Sequence, residues 1–380
     1  MNPNRARSVI CAGAVGLLAI LATACGSSDD ETAAAADATT LAFTLTDAGC
    51  DPLDAEAAAG PITFEVDNAS SNPDVHELEV LDGETVLGET PDLTEGDSGT
   101  FTLTLEQGEY TLLCPGTEGD PGTLTVTGEL ETASSPEVEA AIADYRSYLE
   151  ENTAELVAAI EPFVAAVDSG DVAKAKSLYA PARIPYERIE PVAESFDSLD
   201  PKIDARANDI PPNEFGGFHR IEKALWEEGT AEGMAPVAEQ LLADVEELAR
   251  KVKTVELQAV QIANGANELL GEVSASKITG EEERYSHIDL VDFEANVEGS
   301  EAAFEAVKPL LDESDADRSG EIEADFKMVF NSLEPYRTAD GFVSYAELSK
   351  ADTKKLAVAI DTLAEKLSQV PAAIAQAEHE

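Results

Sequence analysis

Basic side chains are scarce in this chain. Its 380 residues include 24 Lys and Arg against 77 Asp and Glu, for a formal net charge of −53. A surface of that sign repels a polyanion, which excludes a nucleic-acid binder. Catalytic signatures are missing too. There is no G-x-S-x-G elbow, and no HExxH or HxxEH zinc motif, because Lys223 follows Glu222 where the inverted motif needs a second histidine. Neither Cys50 nor Cys114 has a recognisable histidine partner in sequence. No short-period repeat is visible. Disorder is excluded as well, since 43% of residues are hydrophobic, an ordinary share for a globular protein. The length suits two or three domains with real cores.

The longest apolar run, Val9 to Ala24, is short for a transmembrane helix and follows Arg5 and Arg7, the pattern of a secretory signal. It ends at Ala22-Thr23-Ala24-Cys25-Gly26, which reads as a bacterial lipobox with Cys25 as the lipidated residue, although Leu21 stands four rather than three positions before it. A plain secreted protein is the other reading. Residues 26–40 carry no large apolar side chain and read as a flexible tether. With Cys11 in the signal and Cys25 lipidated, the mature chain keeps Cys50 and Cys114, either as a disulfide or as a pair of thiolate metal ligands.

Two periodicities divide the rest. Leu41–Leu45, Ile62–Val66 and Phe101–Leu105 alternate as strands do. Glu77–Val80 and Thr85–Leu87 flank the hairpin signal Asp82-Gly83, and Tyr110–Cys114 and Thr123–Val126 complete about seven strands of a small β-sandwich over residues 41–130. Beyond Ser134-Ser135-Pro136, helical spacing takes over. It appears in Val138, Ile142, Tyr145 and Leu149, again in Ile322, Phe326, Val329 and Leu333, and in Leu356, Ile360, Leu363 and Leu367. Residues 131–380 therefore read as an all-α unit of antiparallel helices, with Pro162, Pro181, Pro185 and Pro191 expected to end or kink helices nearby.

Within that unit, Phe218, Ile221 and Leu225 form an apolar stripe, and His219 and Glu222 stand i,i+3 on the adjoining face, where an imidazole and a carboxylate can share one metal ion. Glu187 and Glu190 repeat the spacing, as do Asp289 and Asp292, with His287 nearby. Each of these acids is equally an ordinary helix-surface charge. An oxygen-rich set with one imidazole suits iron, and accepts zinc or copper. Trp226, the only tryptophan, lies one turn beyond Glu222. Asp315 to Glu323 imitates the start of a calcium loop, but Phe326 occupies the position of the bidentate glutamate, so the segment reads as an acidic interhelical loop and Phe326 as core. His379, near the chain end, has no role.

The string Gly217-Phe218-His219-Arg220-Ile221-Glu222-Lys223-Ala224-Leu225-Trp226 resembles the signature of the imelysin-like family. Glu282 to Asn296, Tyr186 to Pro191 and Tyr336 to Phe342 are similar to further blocks of its EfeO-type subgroup. The resemblance covers nearly the whole mature chain, and implies a multidomain fold with an all-β cupredoxin-like sandwich followed by an all-α imelysin-like helical bundle. It also implies an extracytoplasmic iron-binding lipoprotein that captures Fe2+ or Fe3+ and works with a membrane iron permease and a haem-dependent peroxidase. His219 and Glu222 occupy the family's HxxE metal motif.

In the sandwich, a secondary site for copper or zinc is implied at Cys50, Glu77 and Cys114, with His76 as an addition. A blue-copper centre is excluded, because the loop from Cys114 to Gly122 holds neither His nor Met. The alternatives are an envelope metallopeptidase of imelysin type, or a polysaccharide or adhesion module with a structural metal. The candidate ligands account for only a handful of the 77 acids, so most of the acidity reads as adaptation to high salt.

Overall fold

The computed structural model describes residues 39–377, apart from 84, 91, 118, 131–134, 197–198, 276 and 340. The signal segment, Cys25, nearly all of the tether and His379 lie outside the described residues.

The alternating segments form strands β1 (Thr39–Thr46), β4 (Gly60–Asn68), β5 (Glu79–Asp82), β6 (Thr85–Glu89), β7 (Ser98–Leu105), β8 (Gly108–Leu113) and β9 (Gly122–Thr127). Two further strands, β2 (Gly49–Asp51) and β3 (Ala55–Ala58), carry no β-branched or aromatic residue, which is why alternation does not reveal them. One sheet runs β2-β1-β4-β7 and the other β3-β9-β8-β5-β6. β1 is parallel to β4 and β3 to β9, and the remaining neighbours are antiparallel. Inward residues such as Leu45, Ile62, Phe64, Leu103, Leu112 and Leu124 fill the space between the sheets, and Phe64 stacks on Phe101 at 4.6 Å between ring centroids.

A disulfide joins Cys50 on β2 to Cys114 just after β8, so it staples one sheet to the other. Of the two readings of this pair, the structure has the bridge. Neither sulfur is then a thiolate, and the soft-ligand basis for copper or zinc at that rim is gone. Closing a loop of 64 residues restricts the unfolded chain by about 4 kcal/mol.

The helices are α1 (Pro136–Asp168), α2 (Val172–Glu187), α3 (Glu190–Glu194), α4 (Asp200–Ile203), α5 (Gly217–Lys223), α6 (Ala235–Lys251), α7 (Ala259–Ala275), α8 (Asp289–Leu333), α9 (Lys350–Leu367) and α10 (Val370–Ala377). The Ser135 hydroxyl caps α1 by accepting from the Val138 N–H at 3.1 Å. Pro185 and Pro191 fall at the boundary between α2 and α3, as expected, while Pro162 and Pro181 do not end their helices. Both are exposed, so the carbonyls deprived of a partner face water. The expected acidic interhelical segment is a tight turn: α8 comprises two helices that meet at Asp315, where the chain folds back so that Lys308 pairs with Glu323 at 2.9 Å, and the Asp315 carboxylate accepts from the Arg318 N–H to start the second helix. Phe326 is buried against Phe304.

The sandwich packs on the bundle through β4, β6 and β7 against α7 and α10. Val86 N–H donates to the Ser195 carbonyl at 3.1 Å, the Gln261 amide to Leu87 at 3.0 Å and the Asn264 amide to Thr102 at 2.8 Å. Beside these contacts a cleft of about 470 Å³ opens between the two halves. No helix among the described residues is long and apolar enough to cross a membrane.

Gly217 positions the next level of structure. Its φ is +63°, and a Cβ there would lie 2.1 Å from the Ile203 carbonyl oxygen. Glycine therefore lets the start of α5 press against the end of α4, which brings Asp204 beside His219. Gly217→Ala is expected to destabilise the fold by more than the roughly 1 kcal/mol of a left-handed backbone alone. Gly320→Ala, on an exposed helical turn with open space around it, is expected to stabilise by about 0.5–1 kcal/mol. Urea unfolding of the pair checks both signs.

Candidate metal centre

The His219 imidazole is 1% exposed and has carboxylates at both nitrogens. Nδ1 lies 3.3 Å from Glu222 Oε2. Nε2 lies 3.2 Å from Glu282 Oε1 and 3.4 Å from Asp204 Oδ1. Glu222 is held in turn by the backbone, since its Oε1 accepts from the N–H groups of Tyr285 at 2.8 Å and Ser286 at 2.7 Å. Immediately after Glu222 and Lys223, α5 widens into a π-helical turn over Ala224–Glu228, an irregularity that frequently marks functional sites. Trp226 on that turn packs edge-on against Tyr179, whose hydroxyl donates to Glu283.

The glutamate and aspartate pairs seen in the sequence converge on the same region, but not all on the imidazole. Glu187 and Glu190 close around the Lys277 ammonium and the Asn296 amide. Asp292 Oδ2 lies 3.4 Å from Arg183 Nε, while its Oδ1 is buried with no hydrogen-bond partner. Asp289 Oδ1 accepts from the Glu283 N–H at 3.1 Å, and its Oδ2 is also buried without a partner. His287 is not part of the group; its carbonyl accepts from Tyr345 N–H.

Sequence reasoning assigned no role to Asp204, Glu282, Glu283, Arg183 or Lys277. Arg183, wholly buried, is the hub. Its guanidinium meets Glu187, Asp204, Glu282, Glu283 and Asp292 at once, and lies over the Phe218 ring at 5.3 Å. A cation in so apolar a stretch (Tyr179 to Tyr186) was the available signal.

Two buried triads each place three ligand atoms within 4.8 Å of one another: Asp204, His219 and Glu282, and His219, Glu222 and Glu283. Burial pulls the His219 pKa down, but Asp204, Glu222 and Glu282 outweigh it and hold the imidazolium up to about 9. Burial also pushes Glu282 up, yet Lys277, His219 and Arg206 overcome it and keep the carboxyl well below its ordinary range. Burial dominates at Glu283 and Asp292, which are raised well above theirs. Oxygen donors with one imidazole fit a hard or borderline metal ion such as iron.

His76 and Glu77 lie elsewhere, on the sandwich wall of the cleft. His76 Nδ1 stands 2.7 Å from Asp92 Oδ1 and 3.9 Å from Glu77 Oε1, so Asp92 is its nearer partner. Asp204, Glu190 and Glu282 line the same cleft from the bundle side.

Comparisons with known proteins agree with the order of the two halves. A family profile described as Imelysin matches residues 141–370, and one described as Cupredoxin-like domain matches residues 15–126. The protein named "Iron uptake system component EfeO" of Escherichia coli (strain K12) is 40% identical over 346 residues, which is 88% of this chain and 92% of that relative. This chain belongs to the EfeO family. Relatives of the same name from Shigella flexneri and Escherichia coli O157:H7 are 40% and 39% identical over the same length. As an EfeO-family member the chain has a cupredoxin-like sandwich followed by an imelysin-like helical domain, and a role in iron uptake.

If Arg183 is the counter-ion that lets five carboxyls be buried together, its removal leaves uncompensated charge. Arg183→Met is expected to cost about 3–5 kcal/mol, read by urea unfolding at pH 7. A loss below about 1 kcal/mol, as for a surface pair, is the contrary result.

Proposed function

We propose that this EfeO-family protein captures iron outside the cytoplasm and passes it to a membrane permease, with the ion held by His219, Glu222, Asp204 and Glu282. Iron is cargo here, and the protein itself performs no hydrolysis. The observation that carries the reading is the His219 imidazole enclosed by three carboxylates, all at most 8% exposed. Glu283, Asp289 and Asp292 stand around that set and can accept further charge. Lipid attachment at Cys25 tethers the chain to the membrane near the permease, and a haem-dependent peroxidase is the partner that sets the oxidation state of the ion.

The peptidase alternative, suggested by the family's classification, finds no support in the geometry. A metallopeptidase must bring an extended peptide to its metal, whereas His219 and Glu222 are shut inside the bundle. The second histidine of the hydrolytic motif is absent as well, with Lys223 in its place.

The double change His219→Ala with Glu222→Ala is expected to weaken Fe2+ binding by at least about a hundredfold, measured by anaerobic calorimetry. An affinity within threefold of the parent sinks the proposal. The pH dependence has a definite sign. The folded-state pKa of His219 is raised from 6.5 to about 9, so the metal-free fold keeps the imidazolium's contribution below 6.5 and loses it as pH climbs through 9. Binding the ion expels that proton. Affinity is therefore expected to rise roughly tenfold per pH unit between 6.5 and 9 if one proton leaves, and a flat profile speaks against His219 as a ligand.

A further inference from the structure

The imidazole centre is closed, yet an ion must reach it. Two of its three carboxylates, Asp204 and Glu282, line the cleft of about 470 Å³, and Arg206 lines the same cleft. Glu282 divides its oxygens between the inside and the outside. Oε1 lies 3.2 Å from His219 Nε2 and 3.2 Å from Arg183 Nη2, whereas Oε2 lies 3.1 Å from Arg206 Nη1. Arg183 is wholly buried, but the Arg206 side chain is 28% exposed. The Arg206 guanidinium is therefore the solvent-side cap on that carboxylate.

Arg206 belongs to a strap, residues 205–216, that runs from Asp204 to the start of α5. Asp204 and Gly217 are buried at its two ends, while every residue of the strap keeps some exposure. Its two large apolar side chains, Ile210 and Phe215, are partly buried and stand outside the bundle's hydrophobic core. What ties the strap down is polar. Arg206 Nε lies 2.9 Å from Asp209 Oδ2 while Nη1 holds Glu282. Arg284 donates to the Ala207 carbonyl and lies 4.0 Å from Asp209 Oδ1, so Asp209 sits between two guanidinium groups. Ties as exposed as these are individually weak, and a segment held this way opens locally far more readily than a packed core.

We infer that Arg206 is the gate residue of the centre: it latches the strap onto Glu282 Oε2, and an ion passes between the cleft and His219 when that latch opens. The inference rests on the reading of the His219 centre as the iron site. Arg206 holds no ion itself; it is a positioning residue that acts through Glu282 and Asp209. The division of labour in Glu282 decides which quantity it controls. An ion at His219 takes Oε1, and Oε2 stays with Arg206, so the latch closes over an empty centre and a loaded one alike. A contact that favours the closed form equally in both states slows entry and exit together and leaves the equilibrium nearly where it was. A cation at the mouth of a cation site then has a use, because it lengthens the stay of a captured ion without tightening the ligands.

Fe2+ exchange under argon tests this. Loading is followed by stopped flow through the fluorescence of Trp226, the only tryptophan, and release through the colour formed with an excess ferrous chelator. Arg206→Gln is expected to speed both association and release by about fivefold or more, with the dissociation constant shifting by less than either rate. Arg206→Lys keeps the charge but cannot hold Glu282 and Asp209 together, and its rates are expected to fall between. If Arg206 merely orients Glu282, then Arg206→Gln raises the dissociation constant through release alone. That pattern, or rates equal to the parent's, overturns the inference.

Arg284→Gln provides a second variant that leaves Glu282 untouched, since the partners of Arg284 are Ala207, Asp209 and Glu281. It is expected to move both rates in the same direction, by about twofold or more. Fe2+ binding with parental rates in both variants defeats the gate and leaves the His219 centre standing. Failure of the parent to bind Fe2+ defeats both.

Discussion

The Arg183 guanidinium sits among Glu187, Asp204, Glu282, Glu283 and Asp292 with no contact to water, and the arrangement of the helical half depends on it. These acids come from α2, from the residue after α4, from the loop between α7 and α8, and from the start of α8. A carboxylate buried alone would be expelled or protonated; five around one planar fork of donors can be buried together. The bundle has thereby traded part of an apolar core for a charged one. Carboxyls still outnumber cations in it, even when Lys277, Arg206 and the imidazolium are counted. Burial offsets part of the excess by raising Glu283 and Asp292 well above the usual carboxylate range.

Local devices hold the excess in place. Gly217 lets α5 approach α4 so closely that Asp204 and His219 meet. The backbone N–H groups of Tyr285 and Ser286 fix Glu222. The aromatic group of Tyr179, Phe218 and Trp226 closes the far side. Each device acts at short range, and the long helices serve mainly to deliver them to one place.

The sequence makes some of this legible and hides the rest for identifiable reasons. Strong alternation shows seven strands, whereas β2 and β3 are too short and too poor in β-branched residues to register. Helical periodicity locates the bundle. It overstates the effect of Pro162 and Pro181, because the pattern does not say that water replaces their lost hydrogen bonds. The HxxE spacing exposes His219 and Glu222, and i,i+3 pairing exposes Glu187 with Glu190 and Asp289 with Asp292. Asp204 has no partner at helical spacing, and its role comes from a contact made across the fold. Glu282 and Glu283 are visible as part of a family-like block, yet nothing in their spacing assigns them to the imidazole. The roles of Arg183 and Lys277 were missed because Arg and Lys are ordinarily at the surface. In a chain with so few bases, two of them in apolar or acid-ringed surroundings carried more information than their type suggests.

The disulfide between Cys50 and Cys114 takes from the sandwich the sulfur ligands that a copper protein of this fold would use. What the sandwich retains is a wall: His76, Glu77, Glu79, Glu89 and Asp92 face the bundle across the cleft. The way in toward Asp204 and Glu282 is therefore a seam between two halves rather than a bore through one of them. Hydrogen bonds from β6 and β7 to the bundle lie beside that seam, so the packing of the two halves on each other, and not the ligands alone, shapes the mouth of the cleft.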